Sequence, residues 1–295
     1  MAPQPEVVII GAGPAGVAAA IQLRRYRVPF VLLEKERIGG LLWNANLLEN
    51  YPGFPDGIPG PELVGLFLRQ MERLGVDAIL EEATILDVDA GTPTVTTRLH
   101  SYSPRIVLVA SGTRALPFPL EIPATLKDRV VSSVISILAV RQKHIVIVGA
   151  GDAALDYGLN LLRHNAVTIL NRGTEVQGLP LLWERAQSSP RFSYRDETVV
   201  TGITAPPHGA GLSIQCESRG TTSSISADFV VFALGREPEV SFLSSRSREM
   251  EAALMERGQL FFIGDVRNGL MRQTAIAAGD GLRAAMQIYS SRGRA

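Results

Sequence analysis

The chain has 295 residues, 46% hydrophobic and 20% charged, the composition of an ordinary soluble globular protein with one large or two medium domains. Its 29 basic and 29 acidic residues cancel, so composition gives no support for nucleic-acid binding or a polybasic membrane patch. A single cysteine, Cys216, excludes an internal disulfide and any CxxC motif.

The N-terminus lacks a basic n-region, and its first apolar run is a strand rather than the core of a signal peptide. No apolar stretch is long enough to span a bilayer, so a cytoplasmic protein with no membrane contact is expected.

Residues 6–36 set the pattern. Glu6 to Ile10 is a short β-branched run, the turn Gly11-Ala12-Gly13-Pro14-Ala15-Gly16 follows, Val17 to Leu23 reads as a helix, and Val28 to Leu33 is a second strand closed by Glu34 and Lys35. Strand, glycine turn, helix, strand and acid form the dinucleotide-binding fingerprint. Gly11 permits the tight turn, Gly13 lets a pyrophosphate approach the backbone at a helix N-terminus, and Gly16 lets helix and strand pack closely. Glu34 can accept hydrogen bonds from a ribose.

The next stretch, from Ile38 through Gly39-Gly40-Leu41 and Glu49–Pro55 to Pro61, is dense in Gly and Pro and reads as an ordered loop. Glu62 to Leu74 has helical spacing, with Leu63, Leu66, Leu68, Met71 and Leu74 as the expected buried stripe. Strand-like segments follow at 83–88, 94–98 and 106–110, the last ending in Ser111-Gly112-Thr113.

At Ile145 the pattern begins again. Ile145–Val148 is a strand, Gly149-Ala150-Gly151-Asp152-Ala153-Ala154 a second glycine turn, 153–163 a helix, and Val167–Leu170 a strand closed by Asn171-Arg172. A repeated βαβ unit in one chain means two nucleotide sites, one for a flavin and one for a nicotinamide cofactor. Two more strands, 228–234 and 258–263, precede a terminal helix expected over 271–288. Cys216 sits in an alternating stretch, 212–216, and reads as a buried strand thiol. The four histidines, His100, His144, His164 and His208, show no metal spacing, so no metal site is expected.

In order, Gly11–Gly16, Gly39-Gly40, Glu49-Asn50-Tyr51-Pro52-Gly53-Phe54-Pro55, Gly60–Leu63, Ser111–Thr113, Gly149–Ala154 and Gly264-Asp265-Val266 with Arg272-Gln273 resemble the thioredoxin-reductase-type flavoproteins over nearly the whole chain. The resemblance implies an α/β fold of two Rossmann-like dinucleotide-binding domains. An FAD domain of residues 1–117 and 239–295 would carry an inserted NAD(P)H domain of residues 118–238, and the protein would be a homodimer. Gly11, Gly13, Pro14, Ala15 and Gly16 would hold the FAD pyrophosphate, and Glu34 with Lys35 the adenosine end. Gly40, Leu41 and Asn50 would lie by the ribityl chain and ring, and Ser111 and Gly112 would also bind cofactor. Gly264 and Asp265 would bind the ribityl chain, while Arg272, Gln273 and Thr274 close the flavin edge. Gly149, Gly151, Asp152, Ala153 and Arg172 would hold the nicotinamide nucleotide. The bland readings stay open: Asp265 as a helix N-cap, Asn50 as a turn asparagine, Arg172 as a solvated cation.

Two departures matter. Thioredoxin reductases carry a redox CxxC before the second nucleotide strand, where this chain reads Val131-Ser132-Ser133-Val134-Ile135-Ser136-Ile137-Leu138. The expectation is therefore an FAD-dependent NAD(P)H oxidoreductase that is not a thioredoxin reductase and hands electrons from flavin directly to an unknown acceptor. That acceptor would be a ferredoxin- or flavodoxin-like protein or a small molecule. The alternative is a non-catalytic flavoprotein regulating a partner. Second, Arg172 is followed by Gly173 where NADPH-using relatives continue a basic cluster, and no acid ends the strand, so NADPH is expected over NADH. Hydride transfer needs alignment rather than a titrating group, so no catalytic residue is nominated.

Overall fold

The computed structural model describes residues 5–206 and 210–292; His208 and both extreme termini lie outside the described residues. In chain order the elements are β1 (Val7–Ile10), α1 (Pro14–Arg25), β2 (Phe30–Leu33), α2 (Gly60–Leu74), β3 (Ile85–Asp89), β4 (Thr92–Thr96), β5 (Ser101–Tyr102), β6 (Ile106–Val109) and β7 (Thr113–Ala115). They continue with β8 (Val130–Val131), β9 (His144–Val148), α3 (Asp152–Leu162), β10 (Ala166–Leu170), α4 (Pro180–Gln187), β11 (Phe192–Arg195), β12 (Thr198–Thr204), β13 (Leu212–Ser218), β14 (Thr221–Ala227) and β15 (Phe229–Phe232). The last are β16 (Arg236–Pro238), α5 (Ser245–Glu249), α6 (Glu251–Glu256), β17 (Leu260–Phe262) and α7 (Thr274–Arg292).

The chain divides into two compact units, one of Met1–Trp43, Leu48–Arg114 and Glu237–Ala295, the other of Asn44–Leu47 and Ala115–Arg236. Each is an α/β unit built on a parallel sheet. In the first the strand order is β17-β6-β1-β2, all parallel. β1 and β6 are buried on both faces, as their unbroken Val/Ile/Leu runs require of central parallel strands. An antiparallel sheet β3-β4-β5 completes this unit. In the second unit the parallel order is β11-β10-β9-β15-β8, and an antiparallel sheet β12-β13-β14 accompanies it.

Both glycine turns follow local steric logic. Gly11 has φ +103°, and a Cβ there would lie 2.5 Å from the Ala110 carbonyl oxygen; Gly149 repeats this with φ +120° and 2.4 Å to the Ala233 carbonyl oxygen. A Cβ on Gly16 would lie 1.9 Å from the Gly11 carbonyl oxygen, so only glycine lets α1 seat on its own turn. α2 ends at Gly75, whose left-handed φ of 62° suits a helix C-terminus.

The expected stripe of α2 needs one correction. Leu63 and Met71 are buried and Leu66 and Leu74 half-buried, but Leu68 is exposed and Val64 takes the inward place. The helix turns its face about one residue from the leucine count, because Val64 packs against Gly39. α7 begins at Thr274 rather than Met271. Residues before it form a turn, with the Met271 N–H donating to the Asn268 carbonyl and the Arg272 N–H to that of Leu270. Among the described residues no helix is long and apolar enough to cross a membrane, and no cluster of His, Cys, Asp or Glu is placed to hold a metal.

Candidate functional site: two nucleotide cradles

In the first unit, α1 starts at Pro14 with Gly13 as its N-cap and no side chain capping it. A Cβ on Gly13 would meet nothing within 4 Å, so the space before the helix N-terminus is open to a ligand's phosphates. Gly39 donates its N–H to the Ala12 carbonyl (2.8 Å), which brings Gly40 against Gly13. Beside this lies a cavity of about 250 Å³, lined among others by Ile10, Gly11, Glu34, Lys35, Ser111 and Glu239.

Glu34, at the end of β2, is 8% exposed, and its carboxylate is fixed by two backbone donors, Ala12 N–H at 2.8 Å and Glu36 N–H at 3.0 Å. A carboxylate has lone pairs to spare after two such bonds, and those left can accept ribose hydroxyls. Ser111 donates its hydroxyl to the Glu239 carbonyl (2.6 Å), and Gly112 takes φ +66° with open space at its Cβ position. Burial works to raise the Glu239 carboxyl, but the hydroxyl and N–H of Ser241, with Lys35 and Arg114, hold it below its ordinary range. The cavity thus keeps an ionised acceptor opposite Lys35.

In the same unit the loop after β17 packs against α1, where a Cβ on Gly264 would lie 2.8 Å from the Ala15 Cβ. Gly264–Val266 is a single tight 3-10 turn carrying half-buried Asp265; the turn's N-cap is Ile263, so Asp265 is not a helix N-cap. Asn50 reaches across the sequence rather than closing its own turn, donating from Nδ2 to Gln273 Oε1 at 2.8 Å. Arg272 and Thr274 flank Gln273 at the start of α7, and Leu41 is exposed on the 3-10 segment Gly40–Asn44. An open pyrophosphate cradle, a fixed ribose acceptor, a cavity and a glycine-led acidic turn within one unit fit FAD.

The second unit repeats the cradle. α3 begins at Asp152 with uncapped Gly151 before it, and Gly151 too has open space at its Cβ position. Asp152 accepts the Leu179 N–H (2.7 Å), and Ala153 is exposed beside it. At the end of β10, buried Asn171 donates from Nδ2 to the Glu175 carbonyl (2.8 Å) and to the Tyr194 hydroxyl (2.9 Å), while its Oδ1 accepts the Gly173 N–H (3.1 Å). That turn holds Arg172 out to solvent, a side chain presented at the position where a Rossmann unit reads the adenosine ribose. These groups fit a nicotinamide dinucleotide.

In the second unit, too, Asn44 lies 3% exposed and accepts both the Ser133 hydroxyl (2.7 Å) and the Val134 N–H (2.9 Å). Val134 and Ile137 are buried in that unit's core. Cys216 is 1% exposed in β13; burial pushes its thiol up, with Arg195 opposing. Asn44 and Glu239 were not legible in the sequence as supports of these units, since Asn44 follows no motif and Glu239 follows a Pro.

Paired dinucleotide folds of this kind define the class of two-domain flavin and nicotinamide oxidoreductases. The chain belongs to the pyridine nucleotide-disulphide oxidoreductase family, whose pattern matches residues 5–281. The thioredoxin reductase of Streptomyces clavuligerus is 31% identical over 296 aligned residues, covering 95% of this chain and 91% of that protein. That of Mycolicibacterium smegmatis is 28% identical, covering 95% and 94%. The crystal structure of Lactococcus lactis thioredoxin reductase has a TM-score of 0.86 at 25% identity, covering 97% of this chain and 98% of that one.

These likenesses correct one expectation. The exclusion from the thioredoxin reductases, drawn from cysteine content alone, is overturned: relatives of that name match 95% of the chain, and the chain is an oxidoreductase of the thioredoxin reductase type. Two residues do not outweigh a likeness carried by both glycine cradles and the sheets that hold them.

Proposed function

We propose that the chain is an NADPH-dependent FAD oxidoreductase in which electrons leave the flavin for an external acceptor without an internal dithiol. The observation that carries this reading is the chemistry of residues 131–138. They hold serines, valines and isoleucines, with Val134 and Ile137 packed in a core, and the one cysteine is buried in β13 with a raised thiol pKa. A buried neutral thiol is a poor nucleophile.

FAD, when bound, supplies a two-electron carrier that nicotinamide can reduce. The chain's own part is to hold the partners. Gly13 and the N-terminus of α1 would take the pyrophosphate, Glu34 the ribose, and Asp265 the ribityl hydroxyls. Gly151 and α3 would take the nicotinamide dinucleotide, with Arg172 favouring a 2′-phosphate through a charge-assisted bond. Since the relatives are named for thioredoxin, a thioredoxin disulfide heads the panel of acceptors, followed by ferredoxin- or flavodoxin-like proteins and small molecules. A cytoplasmic homodimer goes with this reading. One buried cysteine suits a reducing compartment, and the outer face of α7 exposes Ile276, Leu282 and Met286.

The test is steady-state NADPH oxidation by wild type and Cys216→Ser across that panel. Unchanged turnover in the variant supports the reading. Loss of most turnover, with FAD content and NADPH reduction of the flavin intact, refutes it.

A further inference from the structure

Asp280 is a carboxylate that neither core packing nor either cradle accounts for. The inner face of α7 is Ala277, Gly281, Ala284, Ala285 and Ile288, and a Cβ on Gly281 would lie 2.1 Å from the Ala15 carbonyl oxygen. Asp280 enters this close, apolar helix contact at 8% exposure. A carboxylate so placed is costly unless its oxygens are hydrogen-bonded.

Its bonds share one target. Oδ2 accepts the Gly264 N–H (3.2 Å) and the Asn268 side-chain amide (2.7 Å), while Oδ1 meets the outward-lying Arg283. Gly264 opens the turn that carries Asp265, and Asn268 lies two residues past its end, so the two bonds bracket the loop 264–268. That turn cannot rely on its own sequence for rigidity. Gly264 holds φ +73°, and a Cβ there would lie 2.8 Å from the Ala15 Cβ, so the position must be glycine, the residue with most backbone freedom to lose.

We propose that Asp280 is a positioning residue for FAD, pinning both ends of the loop 264–268 from α7 so that Asp265 keeps one backbone placement. This rests on the FAD reading of the first unit. A charge on the helix behind the loop thereby fixes the loop in front of it, and Asn268 acts only through Asp280.

The experiment is FAD titration of apoprotein prepared from the whole chain, followed by flavin fluorescence and by visible circular dichroism of the bound flavin. Asp280→Ala raises the FAD Kd about tenfold or more, the scale of a lost charged hydrogen bond, and changes the visible dichroism. Asp280→Asn keeps an oxygen for both donors and stays within about threefold of wild type. Asn268→Ala weakens binding by a smaller factor and adds nothing on top of Asp280→Ala, because the two act in one network. Should Asp280→Ala not fold, Asn268→Ala against wild type and Asp280→Asn carries the test. Wild-type Kd and dichroism in Asp280→Ala, or in Asn268→Ala where that carries the test, overturn the proposal. So does a loss in Asp280→Asn as large as in Asp280→Ala. Wild-type protein that takes up no FAD overturns the FAD reading instead, which the same titration shows directly.

Discussion

Single residues divide sharply into those that leave room for a ligand and those that leave room for the fold. Gly13 and Gly16 belong to one motif, yet their surroundings differ: nothing lies within 4 Å of a Cβ on Gly13, whereas on Gly16 it would overlap the Gly11 carbonyl. Gly13→Val therefore gives a folded protein that purifies without FAD, and Gly16→Val gives no folded protein. Circular dichroism with the flavin spectrum distinguishes the two, and a yellow Gly13→Val protein would contradict the cradle.

Asp156, on α3, makes a second residue-scale prediction. It accepts the Asn46 N–H at 2.9 Å, but burial, its largest influence, pushes its pKa from 3.8 up to about 6 against the N–H groups of Asn46 and Leu47 and the charge of Arg163. Between pH 4 and 6 the folded protein thus holds a proton that the unfolded chain has lost. Its contribution to stability is full below about pH 4 and is lost as pH rises through 6, about 2–3 kcal/mol in all. Asp156→Asn keeps the acceptor and removes the titration. Its stability relative to wild type rises by about 2 kcal/mol from pH 4 to pH 7, read from Trp183 fluorescence in urea in a Trp43→Phe background. Parallel pH curves for the two proteins would contradict the assignment.

Among elements, the short βαβ pieces were the most legible in the sequence. β1, α1 and β2, and again β9, α3 and β10, lie where a glycine turn between apolar runs puts them, because local sterics decide that geometry. α2 was legible as a helix and, at Leu63 and Met71, in its buried side; only Leu68 was misplaced, since tertiary packing put Val64 against Gly39 instead. The start of α7 was misjudged by three residues because a loop turn looks helical in composition. Least legible was Asn44, whose partners lie about 90 residues away. Asn44→Ala leaves the buried Val134 N–H without its acceptor, a cost of about 1–3 kcal/mol. Amide exchange at Val134 and Ile135 should speed up while that of β9 and β10 stays slow; unchanged exchange at Val134 would show the side chain to be dispensable.

At the scale of the molecule, the two units use one device twice and differ in what they add to it. The first adds an acidic turn held from behind by a helix, and the second an asparagine-closed turn that presents an arginine. Family membership follows from that shared architecture, which is why relatives named thioredoxin reductase match nearly the whole chain although it holds a single cysteine. The proposed function turns on how many electrons the loaded protein can hold. A flavin is one two-electron store, and a dithiol would be a second. Anaerobic reductive titration of the FAD-loaded protein counts them. The account predicts that one NADPH or dithionite equivalent per FAD bleaches the flavin fully, with no lag and no thiol appearing. A requirement for two equivalents per FAD, with newly titratable thiols, would contradict it.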